Sequence, residues 1–136
     1  MTPLNGLILT GGYSRRMGQD KALIDLEGMT LLDRTYNLLS PFIEQVYVSI
    51  RGDQINEAKR AQYPLIIDQI GYSGPIAGIL SAGDYDPHSG WLVVACDMPF
   101  LDNQTIDQLI HARNLETTAT LFQSIDESGV EPLCAI

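Results

Sequence analysis

Apolar residues follow two rhythms along the chain. Short runs bounded by glycine, proline or acidic residues predict strands: Leu4 to Leu9 (LNGLIL), Gln45 to Ile50 (QVYVSI), Leu65 to Ile67 and Trp91 to Ala95 (WLVVA). Two more strands are expected, Thr118 to Phe122 and the closing PLCAI. Between the runs the spacing lengthens. Apolar positions 31, 32, 36, 38 and 39 fit a helix capped by Thr30 and closed by Ser40-Pro41. A weak helix is expected around Asn56 to Gln62, and another after the turn YSGPIAG, running from Ile79 to Gly83. In that turn Pro75 suits a first helical turn. Asp102 caps a last helix that reaches about Arg113. Strands alternating with helices imply an α/β fold, a mostly parallel sheet covered on both faces. Ligands of such sheets bind where the strands end. That places Thr10-Gly11-Gly12, Ser49 to Arg51, Asp68 and Cys96-Asp97 on one rim.

At 136 residues and 45% apolar content the chain is long enough for one domain with a real core. The net charge is −9 and no basic stripe is present, which argues against nucleic acid as a partner. No apolar run is long enough to span a bilayer, and no charged segment precedes the first one, so a cytoplasmic protein is expected. Cys96 and Cys134 have no neighbour at zinc spacing and read as reduced packing residues. His88 and His111 also lack companions at ligand spacing, and Asp84 and Asp86 read as a solvated loop pair. Trp91 reads as a core anchor.

Charge becomes informative when its position is considered. Of eight Lys and Arg residues, Arg15, Arg16 and Lys21 fall in the stretch LILTGGYSRRMGQDKALI. Cations concentrated beside paired glycines in an acidic protein point to a bound anion. A Walker A loop would need Lys-Ser or Lys-Thr after its last glycine, but Gly18 is followed by Gln19-Asp20-Lys21-Ala22. The G-x-G-x-x-G dinucleotide pattern is not supplied either. Glycines without Cβ atoms let a triphosphate approach backbone N–H groups at Gly11 and Gly12. Arg16 can grip phosphate oxygens as a fork, and Lys21 as a point charge.

This stretch resembles the signature of the molybdenum cofactor guanylyltransferases, L-A-G-G-x-S-x-R-M-G-x-D-K-A-L, with Thr10 in place of the usual alanine. GPIAGILSA resembles the family's second motif and VVACDMPFL its third, in the same order. The resemblance implies a three-layer, Rossmann-like nucleotidyltransferase fold, here ending before the length of family members. It implies transfer of GMP from GTP to the phosphate of Mo-molybdopterin with release of pyrophosphate. Under it, Leu9, Thr10 and Gly11 form the backbone segment that contacts the nucleoside, while Gly12, Arg16 and Lys21 serve the phosphates. Asp97 matches the family's metal-binding aspartate, and a hard carboxylate at a strand end suits Mg²⁺ shared with phosphate oxygens. The expected catalytic set is Arg16, Lys21 and Asp97. Asp68 matches a nucleotide contact, to guanine N–H groups or to ribose hydroxyls. Ser49 stands where the family often has asparagine, and adjacent Arg51 is a candidate substitute. Gly74, Pro75 and Gly78 match the motif that shapes the base pocket, or serve plain turn and helix-start chemistry. The implied partners are GTP, Mo-molybdopterin and proteins that deliver the cofactor, with neither nucleic acid nor membrane. A cytidylyltransferase of the same family and a non-catalytic nucleotide-binding domain are the competing readings.

Overall fold

The structure, a computed structural model, describes residues 3–10, 21–69, 71, 75–96, 101–117, 119–123 and 130–136. Strand β1 (Leu4–Leu9) is followed by a 3₁₀ turn at Lys21–Leu23 and a small hairpin, β2 (Asp25–Leu26) and β3 (Met29–Thr30). Then come α1 (Leu31–Leu39), β4 (Val46–Ile50), β5 (Leu65–Ile67), α2 (Pro75–Tyr85), β6 (Gly90–Ala95), α3 (Asn103–Ala112), β7 (Leu121–Gln123) and β8 (Val130–Ala135). The main sheet has the order β5-β4-β1-β6-β8-β7. β5, β4, β1 and β6 are parallel, with Leu9 beside Ser49 on one side and Ala95 on the other. β8 runs antiparallel to both β6 and β7, the expected mostly parallel sheet with an antiparallel margin.

Three layers follow from the strand alternation. Ile8, Val48, Ile50, Leu92 and Val94 face Leu32 and Leu39 of α1 and Ile106 and Leu109 of α3 in one apolar cluster. Leu7, Ile66 and Val93 point the other way, onto Ala82 of α2. Both N-caps act as the sequence requires. The Thr30 hydroxyl accepts from Asp33 N at 3.1 Å, and Asp102 Oδ1 accepts from Thr105 N at 2.8 Å. Cys96 is buried in the first cluster, as packing residues are.

Two expectations change, and one element was not anticipated. The helix at Asn56 to Gln62 shrinks to one 3₁₀ turn, Arg60–Gln62. Pro64 bars the residue before it from helical geometry, and Tyr63 is extended at φ −116°. The hairpin β2–β3 has no alternating apolar pattern to announce it. Its two-residue turn puts Glu27 at φ 56° and Gly28 at φ 86°, the double left-handed conformation of tight hairpins. Asp86 is not merely solvated. Its carboxylate accepts from Asn5 Nδ2 at 3.1 Å, His88 N at 3.1 Å and Ser89 Oγ at 2.6 Å, tying the end of α2 to the start of β1. Trp91 is half-buried and donates its indole N–H to the Asp86 carbonyl.

Candidate functional site

The parallel strands bring four chain segments to one edge. Thr10 N donates to Ser49 O at 3.3 Å, Asp68 N to Ile50 O at 2.8 Å, and Cys96 N to Leu9 O at 3.3 Å. The strand order places β4 and β5 on one side of β1 and β6 on the other. The chain therefore reverses its direction of winding at β1, and the crevice of a doubly wound sheet opens at that reversal.

At this edge polar side chains are buried and mutually bonded. Ser49 is 2% exposed and donates its hydroxyl to Asp68 Oδ1 at 3.0 Å. Burial raises the Asp68 pKa above its ordinary value, while the Ser49 hydrogen bond and the Arg51 charge pull it down. Helix α2 presses against this pair. A Cβ on Gly78 would lie 2.8 Å from Leu9 Cδ2 and closer still to Ser49 Oγ, so any larger residue would have to displace the Leu9 side chain and the Ser49 hydroxyl. Arg51 bonds Asp53 Oδ1 at 3.0 Å through Nε, and its backbone N–H is capped by Gln54 Oε1 at 3.0 Å.

The sequence-predicted residues thus divide. Leu9, Thr10, Ser49, Asp68 and Gly78 meet at one edge. Pro75 opens α2 and Lys21 opens the 3₁₀ turn Lys21–Leu23. Gly11, Gly12, Arg16, Gly74 and Asp97 lie outside the described residues. The Ser49 hydroxyl proton is directed at Asp68 rather than outward, so Ser49 orients that carboxylate.

Sequence reading missed Arg60. This guanidinium is fully buried. Nε donates to Thr10 Oγ1 at 3.0 Å, Nη2 to the Thr10 carbonyl at 3.0 Å, and Nη1 to Glu57 Oε2 at 3.2 Å. Thr10 Oγ1 in turn donates to Ser49 O at 2.7 Å. No periodic signal marked Arg60, because it lies in a polar connection where a basic residue ordinarily faces water.

A family model for the MobA-like NTP transferase domain matches residues 6–136. The chain belongs to this family. Among curated MobA-like relatives, a molybdenum cofactor biosynthesis bifunctional protein from Synechocystis is 38% identical over 133 residues, which are 98% of this chain and 38% of that protein. A molybdenum cofactor guanylyltransferase from Pseudomonas paraeruginosa is 33% identical over 113 residues, 82% of this chain and 57% of the relative. The chain therefore spans about half or less of the length of these relatives. A crystal structure of molybdopterin-guanine dinucleotide biosynthesis protein A from Archaeoglobus fulgidus superposes with a TM-score of 0.76 at 27% identity, covering 96% of this chain and 65% of that one. The nucleotidyltransferase fold expected from the motifs is thereby confirmed. Among the described residues no helix is long and apolar enough to cross a membrane, and no three acidic, His or Cys side chains group as a metal site. Mg²⁺ typically takes one or two carboxylates, completing its shell with water and phosphate oxygens, so a site of that kind needs no such group.

Proposed function

We propose that this chain is the nucleotide-binding unit of a guanylyltransferase that joins GMP, from GTP, to the terminal phosphate of Mo-molybdopterin. An acceptor phosphate oxygen attacks the α-phosphorus in line, the bond from that phosphorus to the β-bridging oxygen breaks, and pyrophosphate leaves. The acceptor is already anionic, so the protein need supply neither nucleophile nor general base. Positioning and charge stabilisation suffice.

The observation that carries this reading is the hydrogen bond from buried Ser49 to half-buried Asp68, beside Thr10 at the carboxyl edge of the sheet. A partly desolvated carboxylate there, one oxygen held by Ser49, suits the paired donors of guanine or of a ribose. Gly11 and Gly12 would offer backbone N–H groups to the phosphates, Arg16 and Lys21 their cations. Gly74 and Pro75 would shape the base pocket ahead of Gly78, where α2 meets Leu9 and Ser49. Asp97 would hold Mg²⁺, and the ion, when bound, neutralises phosphate charge. Proteins that hand on the fragile cofactor fit as partners in a cytoplasmic setting.

Calorimetry with a panel of nucleoside triphosphates, with and without Mg²⁺, tests the base. Turnover with Mo-molybdopterin tests the transfer. Tight GTP binding and pyrophosphate release are expected. Preference for CTP would move the chain to the cytidylyltransferase branch, and GTP binding without product would leave a binding domain. Asp97→Ala is expected to abolish Mg²⁺-dependent turnover. Lys21→Ala is expected to weaken GTP by about 1.5–3 kcal/mol, the usual worth of a charged hydrogen bond.

A further inference from the structure

Arg60 is a cation with no exposed surface, and its place in the fold needs a reason. Burying a guanidinium is unfavourable unless every donor finds a partner, and an apolar side chain of similar volume often stabilises a core better. Its charge is matched locally by Glu57, which also accepts from Arg60 N at 3.0 Å and from Lys59 N at 2.8 Å. The pair is thus neutralised from its own loop. What the loop does not explain is the other half of the guanidinium. Nε and Nη2 reach fifty residues back along the chain and hold both oxygens of Thr10.

Thr10 follows the last residue of β1 and is the last described residue before the glycine-rich stretch. It is 5% exposed, and its hydroxyl is spent between Arg60 and the Ser49 carbonyl. Its side chain therefore faces the protein, not a ligand. Gripping carbonyl and hydroxyl together fixes both the peptide plane and the χ1 angle, which one hydrogen bond alone does not. The same contacts continue through Ser49 to Asp68. Glu57, Arg60, Thr10, Ser49 and Asp68 form one line of hydrogen bonds beneath the edge.

We propose that Arg60 is a positioning residue for nucleotide binding: it fixes Thr10, the residue that leads into the glycine-rich stretch, in register with the Ser49–Asp68 pair. This rests on the reading of the edge as a nucleotide site. In this scheme Arg60 works through Thr10 rather than by touching the substrate.

The test uses the whole chain and Mg²⁺-GTP as probe. Arg60→Lys keeps a cation for Glu57 but cannot fork onto two oxygens. Thr10→Ala keeps the carbonyl and the Arg60–Glu57 pair but removes the hydroxyl. Each variant is melted by circular dichroism and titrated with Mg²⁺-GTP by calorimetry. Folded variants are expected to bind roughly ten- to a hundredfold more weakly. The double variant is expected to be little worse than the poorer single one, because both break one contact. Wild-type Kd in folded single variants, or fully additive losses in the double, would overturn the proposal and leave Arg60 structural. Should Arg60→Lys fail to fold, Thr10→Ala decides by itself. A wild-type chain that binds no nucleoside triphosphate refutes the nucleotide reading and this proposal together, whereas a binding wild type with unaffected variants refutes the proposal alone.

Discussion

The two ends of β1 are both held by polar contacts to a half-buried aspartate, yet they treat their carboxylates in opposite ways. At the start, Asn5, Ser89 and the His88 amide surround Asp86 with donors, and these hydrogen bonds, led by Ser89, hold its pKa below the ordinary value. At the end, Asp68 receives the Ser49 hydroxyl but loses water, and burial pushes its pKa up. The first aspartate is better satisfied in the fold than in water, so it stabilises the structure. The second is less satisfied, a condition that a bound ligand with paired donors could relieve. One strand thus joins a staple to the proposed nucleotide site, and on that reading stability and binding are divided between its ends.

The comparison can be broken most forcefully at Arg60. Arg60→Met leaves Thr10 Oγ1 and its carbonyl without their guanidinium donors and Glu57 without its counter-ion. Glu57 keeps 26% side-chain exposure, so the loss falls at the lower end for a broken buried pair, about 3 kcal/mol by urea unfolding. Next comes Gly78→Ala. The added methyl collides with Leu9 and Ser49, and a net loss of about 1–2 kcal/mol is expected after the helix-propensity gain, together with weaker GTP binding by calorimetry.

The two aspartates sharpen the contrast through pH. The stability that Asp86 contributes is present above its unfolded value near 3.8 and is lost as pH falls through the depressed folded value. Asp86→Ala is therefore expected to lower Tm at neutral pH and flatten the acid limb of a Tm-against-pH curve, with GTP affinity unchanged. Asp68 has the opposite sign. Its raised folded value favours the protonated fold, so stability declines as pH rises from about 3.8 through that folded value. Asp68→Asn is expected to give the smallest stability change, a Tm equal to or above wild type at neutral pH, while GTP affinity drops. A lower Tm in Asp68→Asn would show that the carboxylate stabilises the edge, and the contrast between the ends would fail.

Much of this arrangement was legible in the residues. The runs LNGLIL and WLVVA became the two central strands β1 and β6, because fully buried parallel strands must be apolar on both faces. Thr30 and Asp102 cap α1 and α3, since capping depends on a few adjacent atoms. Ser49 and Asp68 could be placed on one edge from strand ends alone, though not their bond. Arg60 was out of reach: its partners are fifty residues away, and nothing local distinguishes a buried arginine from a solvated one. The role of Asp86 was hidden for a related reason, since Asn5 is eighty-one residues distant in sequence.

By itself the sequence determined the alternation of strands and helices, the glycine-rich stretch with its cations, and membership of a nucleotidyltransferase family, because apolar spacing, caps and motifs are written in neighbouring residues. Tertiary structure alone decided that Ser49 turns toward Asp68, that α2 meets Leu9 and Ser49 at Gly78, and that Arg60 grips Thr10 from beneath. The physical reason is the same in each case. Burial removes water, and a polar group without water takes whichever partner the packed chain brings within reach.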